Sequence, residues 1–373
     1  MRLLIGMPDK ESRGGPVACE PPFVEALRRL GVDVLEERYV YADAGAGPRL
    51  WTRFKRVLST ARRLRRRLQA DHFDLLHLNT SFDTRALLRD VLTLLLLRSQ
   101  KSAIFLKFHG SDQALLQTSN PALRLLGKIL LNRLDGAGVL SSEEQQNFLR
   151  AGVREQKVFV VKNAVERTPD QPSGAFFKRM GIEPGVPVLL FIARFIPAKG
   201  LLDVILACRM VRERGQQFVL LCVGDGPERV AAEDEARRGG LETCVRFTGF
   251  IPEEETGEFY AHATALVFPT YHYEGFPMVV FYALAAGIPI ITTRIRAAAD
   301  YLQEPDNCLW TEPQNPEMLA QRLEYLLSRR DLRETMSRNN RILAQQFKAE
   351  LVAREYLEVY QTLMRKKVMS AEC

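Results

Sequence analysis

The sequence predicts an α/β protein built from two doubly wound parallel-sheet domains. Three observations carry that expectation. Short apolar runs alternate with helix-like stretches along the whole chain, the runs lack a polar face, and one polar stretch rich in Pro and Gly divides them into two sets of six. Strands buried on both faces read as continuous apolar runs, the pattern of a parallel sheet covered by helices on either side.

The first set is RLLIGM from residue 2, VDVLEERYV from 32, FDLLHLN from 73, AIFLKFHG from 103, GAGVLSS from 136 and KVFVVKNA from 157. The second is VPVLLFIAR from residue 186, FVLLCVGDG from 218, VRFTGF from 245, ALVFPT from 265, IPIITT from 288 and NCLWTE from 307. Twelve strands are too many for one ordinary sheet. Between the sets lies ERTPDQPSGA, residues 166–175, with two prolines and a glycine among polar residues, the best linker in the chain. The expected organisation is therefore an N-terminal domain over 1–165, a C-terminal domain over 166–347, and a helix over 348–373. From Pro316 the pattern is helical, and Leu351, Tyr356, Leu357, Tyr360 and Leu363 near the end fall close to helical spacing.

Composition excludes several classes. The 373 residues are 46% hydrophobic and 26% charged, ordinary for a soluble globular protein. The opening MRLLIGMPDKE reads as a first strand and not a signal peptide, and the apolar run VLTLLLL at 91–97 is too short to span a bilayer, so a cytoplasmic chain is expected. Six cysteines, at 19, 208, 222, 244, 308 and 373, form no Cys-x-x-Cys pair and read as reduced thiols. Net charge is +7, but Arg53 to Arg67 holds eight bases and no acid, so +7 less these eight leaves −1 for the rest. Basicity is one local patch.

Open α/β sheets bind ligands beyond the carboxyl ends of their strands, so chemistry is sought there. FIARFIPAKG ends a strand with Arg194 and then Lys199 before a glycine, a fork and a point charge suited to a pyrophosphate. LCVGDGPE places Gly224 and Gly226 after a strand. Position 229 is Arg, so the three-glycine dinucleotide fingerprint is incomplete, and a tight turn with peripheral ligand contact fits as well. Gly14 and Gly15 follow the first strand, ahead of a helix expected to start near Pro21 or Pro22; phosphate approach and a flexible loop both fit this stretch. KFHGSD ends another strand with His109, for which a satisfied structural role is the plainer reading of spacing alone. YHYEGFPMVVFYALAAGIPI follows ALVFPT with one carboxylate, Glu274, at the turn Gly275, Phe276, Pro277, before a helix whose buried face is expected from Phe276, Val279, Val280 and Leu284. An isolated buried carboxylate is too costly to keep, so Glu274 is read as reserved for a ligand.

Taken together, VVKNAV, ARFIPAKG, GDGPE, FTGFIP and EGFPMVVFYALAAGIPIITT occur in the order and spacing of the retaining family 4 glycosyltransferases, and the chain resembles that family over nearly its whole length. The resemblance implies a GT-B fold, two Rossmann-like domains facing across a nucleotide-sugar cleft, with the last helix returning to the first domain. It implies that Arg194 and Lys199 hold the donor diphosphate, that Glu274, Gly275, Phe276 and Pro277 hold the sugar and phosphates, that Gly15 meets the phosphates from the other domain, and that His109 contacts the donor sugar. Two departures stand out. The family places a second glutamate for the ribose hydroxyls where this chain has Tyr282, a loss of about 1.5–3 kcal/mol that a tyrosine hydroxyl partly recovers. The stretch Arg294 to Asp300, RIRAAAD, also lacks the family's glycine-rich turn.

The implied activity is retaining transfer of a sugar from a UDP- or GDP-sugar to a glycan or lipid-linked acceptor, in polysaccharide or glycolipid assembly. No Asp-x-Asp motif is present, so no metal and no other cofactor are expected. Two rivals are an epimerase of the same fold and a non-catalytic scaffold, the latter motivated by Tyr282. Within Arg53–Leu68, Phe54, Val57, Leu58, Ala61, Leu64 and Leu68 share one helical face amid the bases. That pattern suits either an anionic membrane surface, which would make the enzyme peripheral to the membrane's inner face, or a helix packed on its sheet; nucleic acid is not an expected partner.

Overall fold

The computed structural model describes residues 1–9, 15–39, 50–97, 101–166 and 173–372. Gly14 and most of the linker lie outside the described residues. The chain divides into two compact units, one of Met1–Glu166, Tyr273–Phe276 and Phe347–Cys373, the other of Arg167–His272 and Pro277–Gln346. Sequence order puts residues 273–276 with the second set of strands, yet their contacts put them in the first unit.

The first unit runs β1 (Arg2–Met7), α1 (Gly15–Arg29), β2 (Asp33–Arg38), α2 (Leu50–Ala70), β3 (Leu75–Phe82), α3 (Thr84–Leu96), β4 (Ala103–Ser111), α4 (Gln113–Leu116), α5 (Pro121–Arg133), β5 (Gly136–Val139), α6 (Ser142–Arg150) and β6 (Val158–Val160). Its sheet is parallel in the order β2-β1-β3-β4-β5-β6. The order reverses between β1 and β3, the switch point at which such sheets open a crevice. Leu4, Leu76, Leu78, Leu106 and Phe108 fill the core between sheet and helices.

Helix α1 starts at Gly15, earlier than Pro21 and Pro22, which lie inside it. Proline there forfeits backbone hydrogen bonds. Tertiary pairing outweighs that loss, because the turn from Pro16 buries Cys19, Glu20, Phe23 and Val24 against the sheet. In α2, Ala61, Leu64 and Leu68 are buried in this core, so the apolar residues read as a membrane-facing stripe are largely spent on packing.

The second unit runs α7 (Gly174–Met180), β7 (Val188–Ile192), α8 (Leu201–Glu213), β8 (Val219–Val223), α9 (Arg229–Arg238), β9 (Val245–Gly249), α10 (Gly257–His262), β10 (Ala265–Phe268), α11 (Met278–Ala286), β11 (Ile290–Thr293), α12 (Arg296–Tyr301), β12 (Cys308–Thr311), α13 (Pro316–Ser328) and α14 (Arg330–Ala344). Its parallel sheet has the order β12-β11-β10-β7-β8-β9, reversing between β7 and β10. Helix α11 is buried on nearly all sides, Met278, Phe281, Tyr282 and Ala283 joining Val280 and Leu284, while Val279 is only half-buried.

The terminal helix α15 (Ala349–Glu372) packs in the first unit. Its buried stripe is Val352, Ala353, Tyr356, Tyr360 and Leu363, whereas Leu351 is exposed. The Tyr360 hydroxyl lies 2.6 Å from His77 Nδ1 of β3. Among the described residues no helix is long and apolar enough to cross a membrane, and Cys19, Cys208, Cys222, Cys244 and Cys308 are buried thiols outside any disulfide.

Candidate active site

In the second unit, Arg194 follows β7 at the switch point and is exposed. Its loop is clamped by backbone. Ala193 N–H donates to the Val223 carbonyl at 3.1 Å, Phe195 N–H to Asp225 at 2.9 Å, and Glu228 N–H to Phe195 at 3.0 Å. Gly224 and Gly226 permit this approach, because a Cβ on either would collide with the carbonyl of Ala193 or Phe195. Their glycine identity is thus explained by packing that fixes the Arg194 loop.

Lys199 closes the turn Pro197–Lys199 and is only 3% exposed, its Nζ 5.4 Å from the centre of the Phe268 ring. Gly200, at φ +77°, seats that turn on β10's exit, since a Cβ would lie 2.7 Å from the Pro269 carbonyl. Tyr271 N–H donates to Ala198 at 2.9 Å, and Thr270 Oγ1 to the same carbonyl at 3.1 Å. A fixed cation at the end of β7, beside the loop leaving β10, is suited to an anionic ligand with little reorganisation.

Tyr282 is buried in α11 and its hydroxyl donates to Glu253 Oε1 at 2.5 Å. Sequence reasoning missed Glu253, which lies in a short turn after β9. Pro277 is buried and caps α11.

The first unit brings together a different group. His109 ends in β4, its side chain 4% exposed. Asn79 Nδ2 donates to the Gly6 carbonyl and to Glu20 Oε2, both at 3.1 Å, leaving its Oδ1 to accept from His109 Nε2 at 2.9 Å. That assignment makes Nε2 the protonated nitrogen of a neutral ring. Burial first, then the charge of Lys107 and the neighbouring His77, holds the His109 pKa well below the ordinary histidine value. Lys107 Nζ is itself buried and 2.6 Å from Glu20 Oε1. Cys19, Glu20 and His109 place potential metal-ligating atoms within 4.8 Å of one another. The donor set fits an ammonium better than a metal, because Lys107 already neutralises Glu20 and His109 presents a proton to Asn79. Sequence reasoning missed this network, although a lysine inside a strand apolar on both faces signals a buried acid partner.

Against the end of β4 lies the stretch 273–276. A Cβ on Gly110 would meet the Tyr273 carbonyl at 3.3 Å, and one on Gly275 would meet Glu144 Oε2 at 2.8 Å and the His109 carbonyl at 3.1 Å. Glu144 is fully buried and held by the Ser111 hydroxyl at 2.8 Å and Leu140 N–H at 3.2 Å. Phe276 packs edge-on against Phe347, ring centres 5.7 Å apart. Glu274, half-buried, is therefore carried by a turn seated on His109, Gly110 and Glu144. Gly15 begins α1, at this unit's own switch point after β1.

Residues 173–342 match the family model described as glycosyl transferases group 1, and residues 20–168 match glycosyltransferase family 4. The chain belongs to this glycosyltransferase family. A colanic acid biosynthesis glycosyltransferase named putatively as WcaL, from Escherichia coli, is 27% identical over 223 residues, 57% of this chain and 53% of that protein. The N,N'-diacetylbacillosaminyl-diphospho-undecaprenol alpha-1,3-N-acetylgalactosaminyltransferase of Campylobacter jejuni is 24% identical over 236 residues, 61% of this chain and 60% of that one. The chain spans about half the length of the curated relatives it matches. Among solved structures, Anabaena HepE in complex with UDP-glucose superposes with a TM-score of 0.76 at 17% identity, covering 97% of this chain and 100% of that one. The fold is thus GT-B.

Proposed function

We propose that this chain is a retaining glycosyltransferase that moves a sugar from a nucleoside-diphosphate sugar to a glycan or lipid-linked acceptor. The observation that carries the reading is the pairing of Arg194, on a loop clamped by its backbone, with buried Lys199 after the same strand at the switch point of the second sheet. Family membership, the UDP-glucose bound by HepE and the undecaprenol-linked name of the Campylobacter relative support the donor and acceptor classes.

In the proposed reaction the bond from the anomeric carbon to the diphosphate breaks and a bond to the acceptor oxygen forms on the same face. The acceptor proton passes to a phosphate oxygen of the leaving group. Arg194 and Lys199 take up the charge growing on that diphosphate, so the step needs no metal. Glu274 and the amides of its turn orient the sugar, with His109 beside them, its neutral ring fixed by the Nε2–H···Oδ1 bond to Asn79 and its Nδ1 the acceptor of the ring. Pro277, Gly224 and Gly226 shape the second unit's loops, and Gly15 opens α1 in the first.

Tyr282 takes a defined part here. Its hydroxyl holds the Glu253 carboxylate, which supplies an acid for the ribose that the helix itself lacks. That contact removes the motive for a catalytically silent scaffold. The acceptor side includes α2, where Trp51 and Phe54 are 65% and 43% exposed and stacked 5.8 Å apart beside Lys55 and Arg56. Exposed aromatics among bases favour an anionic membrane surface, consistent with an enzyme working at the cytoplasmic face of a membrane.

Thermal melting with UDP-, GDP- and ADP-sugars identifies the donor by the rise in Tm. Proton NMR of the product then reports anomeric configuration. A retained anomer with release of nucleoside diphosphate supports the reading; conversion of the donor to an epimer without such release overturns it.

A further inference from the structure

A second charged site lies in the same unit as Arg194 but at the opposite ends of its strands. A basin of about 500 Å³ opens among the turns at Ala263–Thr264 and Gly287–Pro289 and one face of α14. Thr264 immediately precedes β10 and Pro289 immediately precedes β11, so the basin sits at the amino ends of strands whose carboxyl ends carry the proposed donor loops.

The wall given by α14 is Arg330, Arg333, Glu334, Ser337, Arg338 and Arg341. These positions follow the three- and four-residue spacing of a single helix face, beside the face that buries Met336 and Asn340. The basin face carries four guanidinium groups and one carboxylate, a net +3. Arg330, Arg338 and Arg341 are exposed at the mouth of the basin, and Arg333 is half-buried. Arg330 pairs with Glu334 at 2.8 Å. Arg333 Nη1 donates to the carbonyls of Leu326 and Leu327 at 2.7 and 2.6 Å, across the end of α13. Arg341 lies over Gly287, which at φ +71° ends α11; a Cβ there would come within 2.6 Å of the Arg341 Cγ and Nε. Among the described residues Arg333, Arg338 and Arg341 make no ion pair. The floor, Ala286, Gly287 and Pro289, is small enough for an anion to approach closely.

We propose that this basin binds a multiply phosphorylated anion, at a site separate from the donor loops. Guanidinium forks match phosphate oxygens in pairs, and three net positive charges match a short chain of phosphates. The phosphates come either from a soluble polyphosphate or from the headgroups of an anionic bilayer. The proposal does not depend on the glycosyltransferase reading.

The test uses the full chain and two probes. Calorimetric titration with inorganic tripolyphosphate reads the soluble arm. Sedimentation with phosphatidylcholine vesicles containing about one-third phosphatidylglycerol reads the lipid arm. Arg338→Gln and Arg341→Gln are each expected to weaken binding about tenfold in the arm that applies. Arg194→Ala should leave that binding unchanged. Arg338 is exposed, so its variant keeps the fold, which the ligand-free Tm verifies; Arg341→Lys, keeping the charge without the fork, should recover part of the loss. Sensitivity in the tripolyphosphate arm assigns a free polyphosphate, and sensitivity in the vesicle arm assigns lipid headgroups. Absence of binding in both arms, or binding that both glutamine variants leave intact, overturns the proposal.

Discussion

Replacing Gly275 by alanine tests the seating of the Glu274 turn directly. The new Cβ would stand 2.8 Å from Glu144 Oε2 and 3.1 Å from the His109 carbonyl, where ordinary contact begins near 3.4 Å. Relief therefore needs a displacement of about 0.6 Å from the first and about 0.3 Å from the second. Neither neighbour yields cheaply. Glu144 is buried and bonded to Ser111 and Leu140, and the His109 carbonyl belongs to β4. The turn itself must move, carrying Glu274 with it. Overpacking of this kind costs about 1–3 kcal/mol, and misplacement near 1 Å lowers turnover about 100-fold. Steady-state release of nucleoside diphosphate and thermal melting are the assays. The expected result is kcat/KM reduced about 100-fold with a Tm lower by only a few degrees, roughly 2–4 °C per kcal/mol for a unit of this size. Wild-type kinetics with an unchanged Tm would refute the reasoning.

Three further outcomes follow from the buried groups. Glu20→Leu leaves the Lys107 ammonium buried without its acid partner and should destabilise the first unit by about 3–5 kcal/mol in urea melts, with Lys107→Met restoring much of the loss in the double variant. Burial and the charge of Lys107 depress His77 and His109 in the fold, so the unfolded chain binds protons first as pH falls and stability decreases. Stability in urea melts should therefore fall as pH drops from about 7 through the ordinary histidine range, and a flat stability profile in that window would contradict it. Tyr282→Phe releases Glu253 and should weaken nucleotide affinity about three- to tenfold with little change in kcat, measured by titration calorimetry and initial rates.

What was legible in the sequence is tied to local pattern. The twelve strands could be read because a strand covered on both faces must be apolar throughout, and the loops at the strand ends could be read because the strands were. Glu20 and Lys107 were not legible as a pair, since 87 residues separate them and only the sheet brings them together. The same is true of the start of α1, where burial of Cys19 and Glu20 overrides two prolines. Apolar spacing in α2 could not say whether sheet or membrane covers it, and packing took Ala61, Leu64 and Leu68. Residues 273–276 follow β10 in sequence, but their contacts with β4 are nonlocal. The arginine stripe of α14 was passed over because charges at helical spacing ordinarily mark a solvated face.

The account rests on cations of the second sheet's switch point neutralising a departing nucleotide. The most direct measurement is turnover of the identified nucleotide-sugar by the unaltered chain, Arg194→Ala and Lys199→Ala, each in excess EDTA and each checked for folding by Tm. The account predicts undiminished turnover by the unaltered chain in EDTA and a loss of about 10²–10³-fold in kcat for either variant. Equal turnover by all three proteins, or turnover abolished by EDTA alone, would contradict it.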